Sequence, residues 1–239
     1  MASERTRGAF ASVTRGDPAA NFQSMHARRL SFPNYLGWRL SGELMLAGPG
    51  APLVVFSHGM YSGKDSPRNR EVAAALLARG LSAFLFDYTG HGDSEGSLED
   101  STLERQVGDL GSALDYLQEE LAGRLGPLGV SGSSTGGTVA LLRAARDDRI
   151  RALVVRSVRD YGVSEVAGLV EAPTLVIVGE EDTGVVPEAK HIYAALGGIK
   201  NLLVVPGADH LFSGPGQMRQ VTEATVSWFA RYLTAVPVA

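Results

Sequence analysis

Apolar and polar positions change period several times along this chain of 239 residues. Between Ala27 and Ala47, Arg28-Arg29-Leu30-Ser31-Phe32 and Trp38-Arg39-Leu40-Ser41-Gly42-Glu43-Leu44-Met45-Leu46 alternate apolar and polar residues around Pro33-Asn34. That alternation predicts an antiparallel strand pair at a sheet edge with one wet face. Past Gly48-Pro49-Gly50 come continuous apolar runs: Leu53–Phe56, Ala83–Phe86, a short one opening at Leu128, Ala152–Val155, Thr174–Val178 and Leu202–Val205. Such runs suit strands buried on both faces. Helical spacing separates them: Val72, Ala75, Leu76 and Leu77, closed by Gly80, then Leu103, Val107, Leu110, Leu114, Leu117 and Leu121 behind a Ser101 or Thr102 cap. Further helices are predicted from near Thr135, over Pro187–Leu196, and from about Gln217 to Tyr232. Strand and helix in alternation predict an α/β fold with a mainly parallel central sheet and helices on both faces.

Ligands of open parallel sheets gather beyond the carboxyl ends of the strands. The residues just after each apolar run are therefore where chemistry is expected. After the Leu128 run, Gly132-Ser133-Ser134-Thr135-Gly136 fits G-x-S-x-G between a strand and a helix. A turn this sharp strains its central residue, needs small neighbours where two backbone segments pass, and lifts Ser134 above the positive end of the next helix. A serine hydroxyl also needs a base to take its proton and a third group to hold that base. Gly179-Glu180-Glu181-Asp182-Thr183-Gly184 and Pro206-Gly207-Ala208-Asp209-His210 each follow a strand. The resulting order, Ser134, Asp182, His210, is the nucleophile, acid, histidine order of α/β-hydrolases. Glu180, Glu181 and Asp209 compete for the acid role, and His58 and His91 for the base. His26 falls at the end of an early extension and His191 on a helix surface. Two donors must meet the oxyanion of a tetrahedral intermediate: the expected pair is the N–H of Thr135 and that of Met60, with Tyr61 the alternative to Met60.

Composition narrows the field. The formal net charge of −4, without a basic run interleaved with aromatics, argues against a nucleic-acid partner. No run approaches the ~20 apolar residues of a spanning helix, so no membrane partner is expected. The absence of cysteine removes disulfides, thiolate metal sites and a Cys nucleophile, and fits a cytoplasmic protein. No linker divides the chain: residues 1–26 are expected to be a flexible or loosely docked extension and 27–239 a single domain, with a homodimer left open. Gly59-Met60-Tyr61-Ser62-Gly63-Lys64-Asp65 imitates a phosphate loop but is one residue short and has Asp at the magnesium-binding position. Gly90-x-Gly92-x-x-x-Gly96 misses the dinucleotide spacing by one. No cofactor and no metal are expected, since there is neither an H-E-x-x-H helix nor a thiolate.

Taken together, His58-Gly59, Ser66-Pro67-Arg68-Asn69-Arg70 at a helix start, Gly132–Gly137, Gly179-Glu180-Glu181-Asp182 and Gly207-Ala208-Asp209-His210 resemble the small dienelactone-hydrolase-like serine esterases of the α/β-hydrolase fold. The resemblance runs from about residue 27 to 233. Asp87-Tyr88-Thr89-Gly90-His91-Gly92-Asp93-Ser94 resembles the wider superfamily, where it is mostly structural, which sets His91 aside as base. Strict dienelactone hydrolases carry Cys where Ser134 stands, so the resemblance implies an ordinary carboxylesterase with the triad Ser134, Asp182 and His210. Many relatives insert a helical cap after the sixth strand, whereas only Arg156 to Pro173 separates two core strands here, so no cap domain is expected. An open site lined by Met60, Tyr61, Val158, Tyr161, Val185, Leu211 and Phe212 would suit small or short-acyl esters as the partner molecule. Arg156 and Arg159 either clamp a substrate carboxylate or form an ion pair with Asp87, Asp160 or Glu165. Because His210 must be neutral to act as base, activity is expected to fall on acidification. The rival reading is a non-catalytic hydrolase-like protein that binds a small ligand. Among enzymes, an acyltransferase, perhydrolase, peptidase or dienelactone-type hydrolase shares the same triad.

Overall fold

A computed structural model describes residues 27–234; the expected extension 1–26, with His26, and residues 235–239 lie outside the described residues. Among the described residues eight strands form one sheet: β1 (Ala27–Pro33), β2 (Arg39–Met45), β3 (Leu53–Ser57), β4 (Ser82–Phe86), β5 (Leu128–Ser133), β6 (Ile150–Arg156), β7 (Thr174–Gly179) and β8 (Lys200–Val205), in the order β1-β2-β4-β3-β5-β6-β7-β8. The pairs β1/β2 and β2/β4 are antiparallel and the rest parallel. The helices are α1 (Pro67–Leu77), α2 (Leu103–Glu120), α3 (Thr135–Ala144), α4 (Val163–Val166), α5 (Val186–Ala195) and α6 (Gln217–Leu233).

Strand period explains how each central strand is buried twice over. Val55, Phe84, Phe86, Leu153, Val155, Val176 and Val178 point into the core shared with α2, α3 and α5. Their alternates Val54, Phe56, Ala83, Leu85, Ala152, Val154, Leu175 and Ile177 point into the opposite core, shared with α1 and α6. A continuous apolar run is what two covered faces demand. Thr102 caps α2 by accepting from the Arg105 N–H, and Ser66 caps α1 with Pro67 at its first turn.

Three local features depart from the sequence reading. Of the expected edge pair, β1 lies at the sheet edge with a largely wet surface, whereas β2 is mostly buried because β4 pairs along its other side. Phe84 fills the space over Gly42, whose added Cβ would lie 2.5 Å from the ring. The connection from β6 to β7 is not plain loop but holds α4 and a 3-10 turn, Ala167–Leu169. It carries no cap domain. Another 3-10 turn, Leu98–Asp100, precedes α2.

From β3 the chain crosses to β4 on one side and then to β5 on the other. That reversal opens a crevice beyond the carboxyl ends of β3 and β5.

Candidate active site

Ser134 stands at that crevice with φ 52° and ψ −125°, between the end of β5 and the first turn of α3. The flanking glycines are required by contact. A Cβ on Gly132 would fall 2.6 Å from the Gly136 carbonyl oxygen, and one on Gly136 would collide with the carbonyl oxygens of Ser57 and His58. Ser57 pins the elbow from β3: its hydroxyl donates to the Gly136 carbonyl at 2.6 Å while accepting from the Tyr88 hydroxyl at 2.5 Å. Backbone strain of this kind persists only when the surroundings over-determine it.

His210 lies on the loop after β8, and Asp182 on the loop after β7. The histidine Nδ1 is 2.6 Å from Asp182 Oδ2, and its Nε2 is 3.3 Å from Ser134 Oγ. This assigns the proton to Nδ1 and leaves Nε2 to accept from the serine hydroxyl. The loop is held from two sides. Asp209 Oδ1 accepts from the N–H groups of Leu211 and Ser213, and the Ser157 hydroxyl donates to the His210 carbonyl at 2.9 Å. Ser157 itself has φ 49°.

Of the competing residues, Glu181 is exposed and the others are otherwise engaged. Glu180 accepts from the Gly207 N–H, and Asp209 closes its own turn. His58 is buried, its Nδ1–H donating to the Gly59 carbonyl and its Nε2 accepting from the Tyr88 N–H. Burial pulls its pKa down to about 4. His91 packs on His58 at 4.9 Å, with Nδ1 against the Thr89 carbonyl. His191 is on the surface of α5, 3.6 Å from Asp160.

Lys64, the cation of the phosphate-loop imitation, bonds Asp87 and Asp93, each at 2.6 Å. Among the described residues no cluster of three or more His, Cys, Asp or Glu could hold a metal ion. Nor is any described helix long and apolar enough to cross a membrane.

Residues 49–158 match the family described as serine aminopeptidase, S33. A dienelactone hydrolase from Anabaena variabilis is 30% identical and superposes with a TM-score of 0.77, covering 87% of this chain and 99% of its own. The chain belongs to the α/β-hydrolase family. Within it, the chain is similar to the dienelactone-hydrolase-like esterases. Its fold also matches Est1E of Butyrivibrio proteoclasticus, solved with ferulic acid, at 20% identity and a TM-score of 0.78 over 86% of this chain and 100% of that one. A Mycobacterium tuberculosis protein provisionally named a phosphoribosyl transferase is 35% identical over 196 residues, 81% of this chain. The chain spans only 44% of that relative's length.

Around Ser134 the chain has a cavity of about 190 Å³ lined by Gly59, Met60, Ser62, Arg68, Ser133, Arg156, Ser157, His210, Leu211 and Phe212. Of the lining expected from the sequence, Met60, Leu211 and Phe212 are part of it, joined by serines and arginines that the expectation did not include. Val185 and Val158 do not line it: both are buried in the core shared by α2, α3 and α5, the former at the start of α5. Tyr61 and Tyr161 are exposed and outside the cavity wall, the latter beneath the Arg159 guanidinium at 5.7 Å. Arg159 is not paired with Asp87, Asp160 or Glu165; its Nε donates to Glu188 at 2.9 Å, a carboxylate on α5 that also accepts from the Asp160 N–H. Bonding to Glu188 holds the Arg159 pKa above its ordinary value. Arg156, by contrast, faces the cavity, and so do Arg68 and Ser62, which the sequence reading passed over. The signal for Arg68 was the Ser66-Pro67-Arg68-Asn69-Arg70 run, read only as a helix start, and Ser62 lay in the phosphate-loop imitation.

Proposed function

We propose that this α/β-hydrolase is a single-domain, cytoplasmic serine esterase that cleaves small carboxylic esters through an acyl-serine intermediate. The observation that carries the reading is the relay from Asp182 through His210 to Ser134, at 2.6 and 3.3 Å, on a strained elbow at the crevice. Ser134 Oγ attacks the ester carbonyl as His210 Nε2 takes its proton, and Asp182 holds the imidazole and balances the charge that develops. The imidazolium then protonates the leaving alcohol. Water, activated by the same histidine, releases the acid.

The tetrahedral oxyanion is met by the N–H of Thr135, which has no partner among the described residues, at the positive end of α3. Met60 supplies the second N–H once it leaves the Thr135 hydroxyl, to which it donates at 2.8 Å. The small cavity favours short acyl chains. The phosphoribosyl transferase name of the mycobacterial relative belongs to a much longer protein, and Lys64, the one cation in the phosphate-loop-like run, is already bound by two aspartates.

Hydrolysis of p-nitrophenyl acetate, butyrate and longer esters by the wild type and by Ser134→Ala, with folding followed by circular dichroism, tests the reading. Cleavage of the short esters by the wild type alone supports it. Equal activity in both proteins removes Ser134 as nucleophile, and binding of esters without turnover favours a ligand-binding protein.

A further inference from the structure

Beside Ser134 lies a buried positive charge that the protein does not neutralise. Arg156 ends β6 and is only 6% exposed, yet among the described residues no carboxylate pairs with it. Its Nη2 donates to Asn69 Oδ1 at 2.5 Å, and Asn69 is itself buried in the first turn of α1. The neighbouring charge that acts on it most is another cation, Arg68, opposed by Glu71. Arg68 is held at the cavity wall by its Nε, which donates to the Leu211 carbonyl at 2.8 Å.

A tie between β6 and α1 would need one donor, and a neutral side chain would serve. A guanidinium brings five donors and a charge that is expensive to bury without compensation. The sealed polar atoms that lack a partner among the described residues are His91 Nε2 and Arg105 Nη1. The unbonded N–H groups of Arg156 are not among them, and Arg156 lines the cavity that Ser134 and His210 share. Burial draws this pKa down to about 10, with Arg68 adding to the effect, which leaves the group protonated at neutral pH.

We infer that Arg156, oriented by Asn69 and reinforced by Arg68, is a specificity-determining residue that binds a carboxylate carried by the substrate, so that the preferred ester is a small anion. A planar fork of N–H donors matches a carboxylate, and a cavity of about 190 Å³ admits little more than a short chain between that group and the scissile carbonyl. The inference rests on the proposed ester hydrolysis at Ser134 and adds the charge of its substrate.

The test compares kcat/KM for two matched pairs: mono-p-nitrophenyl succinate against p-nitrophenyl butyrate, with the charge on the acyl side, and 4-acetoxybenzoate against 4-acetoxybenzamide, with the charge on the leaving group. At least one anion is expected to be preferred tenfold or more, largely through KM. Arg156→Gln is expected to lose more on that anion than on its neutral partner by a similar factor, Arg156→Lys to recover part of the preference, and Arg68→Gln to weaken it. Should Arg156→Gln fail to fold, inhibition of wild-type butyrate ester hydrolysis by succinate but not by succinamide reads the same site. Neutral preference in both pairs, or equal losses on charged and neutral esters, overturns the carboxylate site while ester hydrolysis stands. Absence of any Ser134-dependent hydrolysis overturns the proposed function and the inference with it.

Discussion

The backbone N–H of Met60 donates to the hydroxyl of Thr135 at 2.8 Å, so of the two N–H groups assigned to the oxyanion one is bonded to the side chain of the residue that supplies the other. A bond of this kind is worth about 1 kcal/mol, small enough to exchange for an oxyanion during the reaction. Removing the hydroxyl frees Met60 in advance. For Thr135→Ala, kcat/KM on a neutral short-chain ester is expected to equal or exceed the wild-type value. A tenfold loss in a folded variant would mean that the hydroxyl, not the Met60 N–H, meets the oxyanion.

Asp182 is separated from its acidic neighbours by what each carboxylate touches: Asp182 reaches His210 Nδ1, while Asp209 bonds the backbone of its own loop. Replacing Asp182 by Asn removes the carboxylate charge and lets an amide N–H face Nδ1, which favours the wrong tautomer, and kcat is expected to fall about 10³-fold or more with the fold intact. Glu181→Gln is expected to change kcat less than threefold. If steady-state kinetics gave the larger loss to Glu181→Gln, the assignment of the acid would be wrong.

The strands were legible because burial on both faces writes itself as apolar runs, and the order Ser134, Asp182, His210 was legible because each residue follows such a run. Partners set by long-range packing were not. Arg159 meets Glu188 only because α5 lies beside the loop after β6, and Arg156 meets Asn69 only because α1 packs under that strand end, 87 residues away in sequence. Nor does a single valine announce whether it faces a cavity or a core. Val158 and Val185 sit near the mouths of strands as expected, but their side chains turn inward between α2, α3 and α5.

Arg159 provides a contrast with Arg156. Its side chain is 41% exposed and bonded to Glu188, and it neither lines the cavity nor carries an uncompensated charge. Exposed pairs contribute about 0–1 kcal/mol. Arg159→Ala is therefore expected to cost less than about 1 kcal/mol in urea unfolding and to leave the ratio of kcat/KM values for anionic and neutral esters unchanged. A selective loss on the anions would move the carboxylate contact from Arg156 to Arg159.

Acid is expected to weaken the fold through His58, separately from its effect on catalysis. The imidazole is buried against Tyr88 and His91, and burial lowers its pKa from 6.5 to about 4. In the unfolded chain it titrates near 6.5, so between those two values the unfolded state holds the extra proton and stability falls as pH falls. The full contribution, about 3 kcal/mol at 1.36 kcal/mol per unit, is present above pH 6.5 and gone by pH 4. Urea midpoints measured from pH 7.5 to 4.5 should decline across this window. In His58→Asn the part of the slope due to this residue should vanish, whatever the variant's stability at neutral pH, because asparagine does not titrate. An unchanged slope would assign the acid sensitivity to other groups and show that His58 takes up a proton without leaving its site.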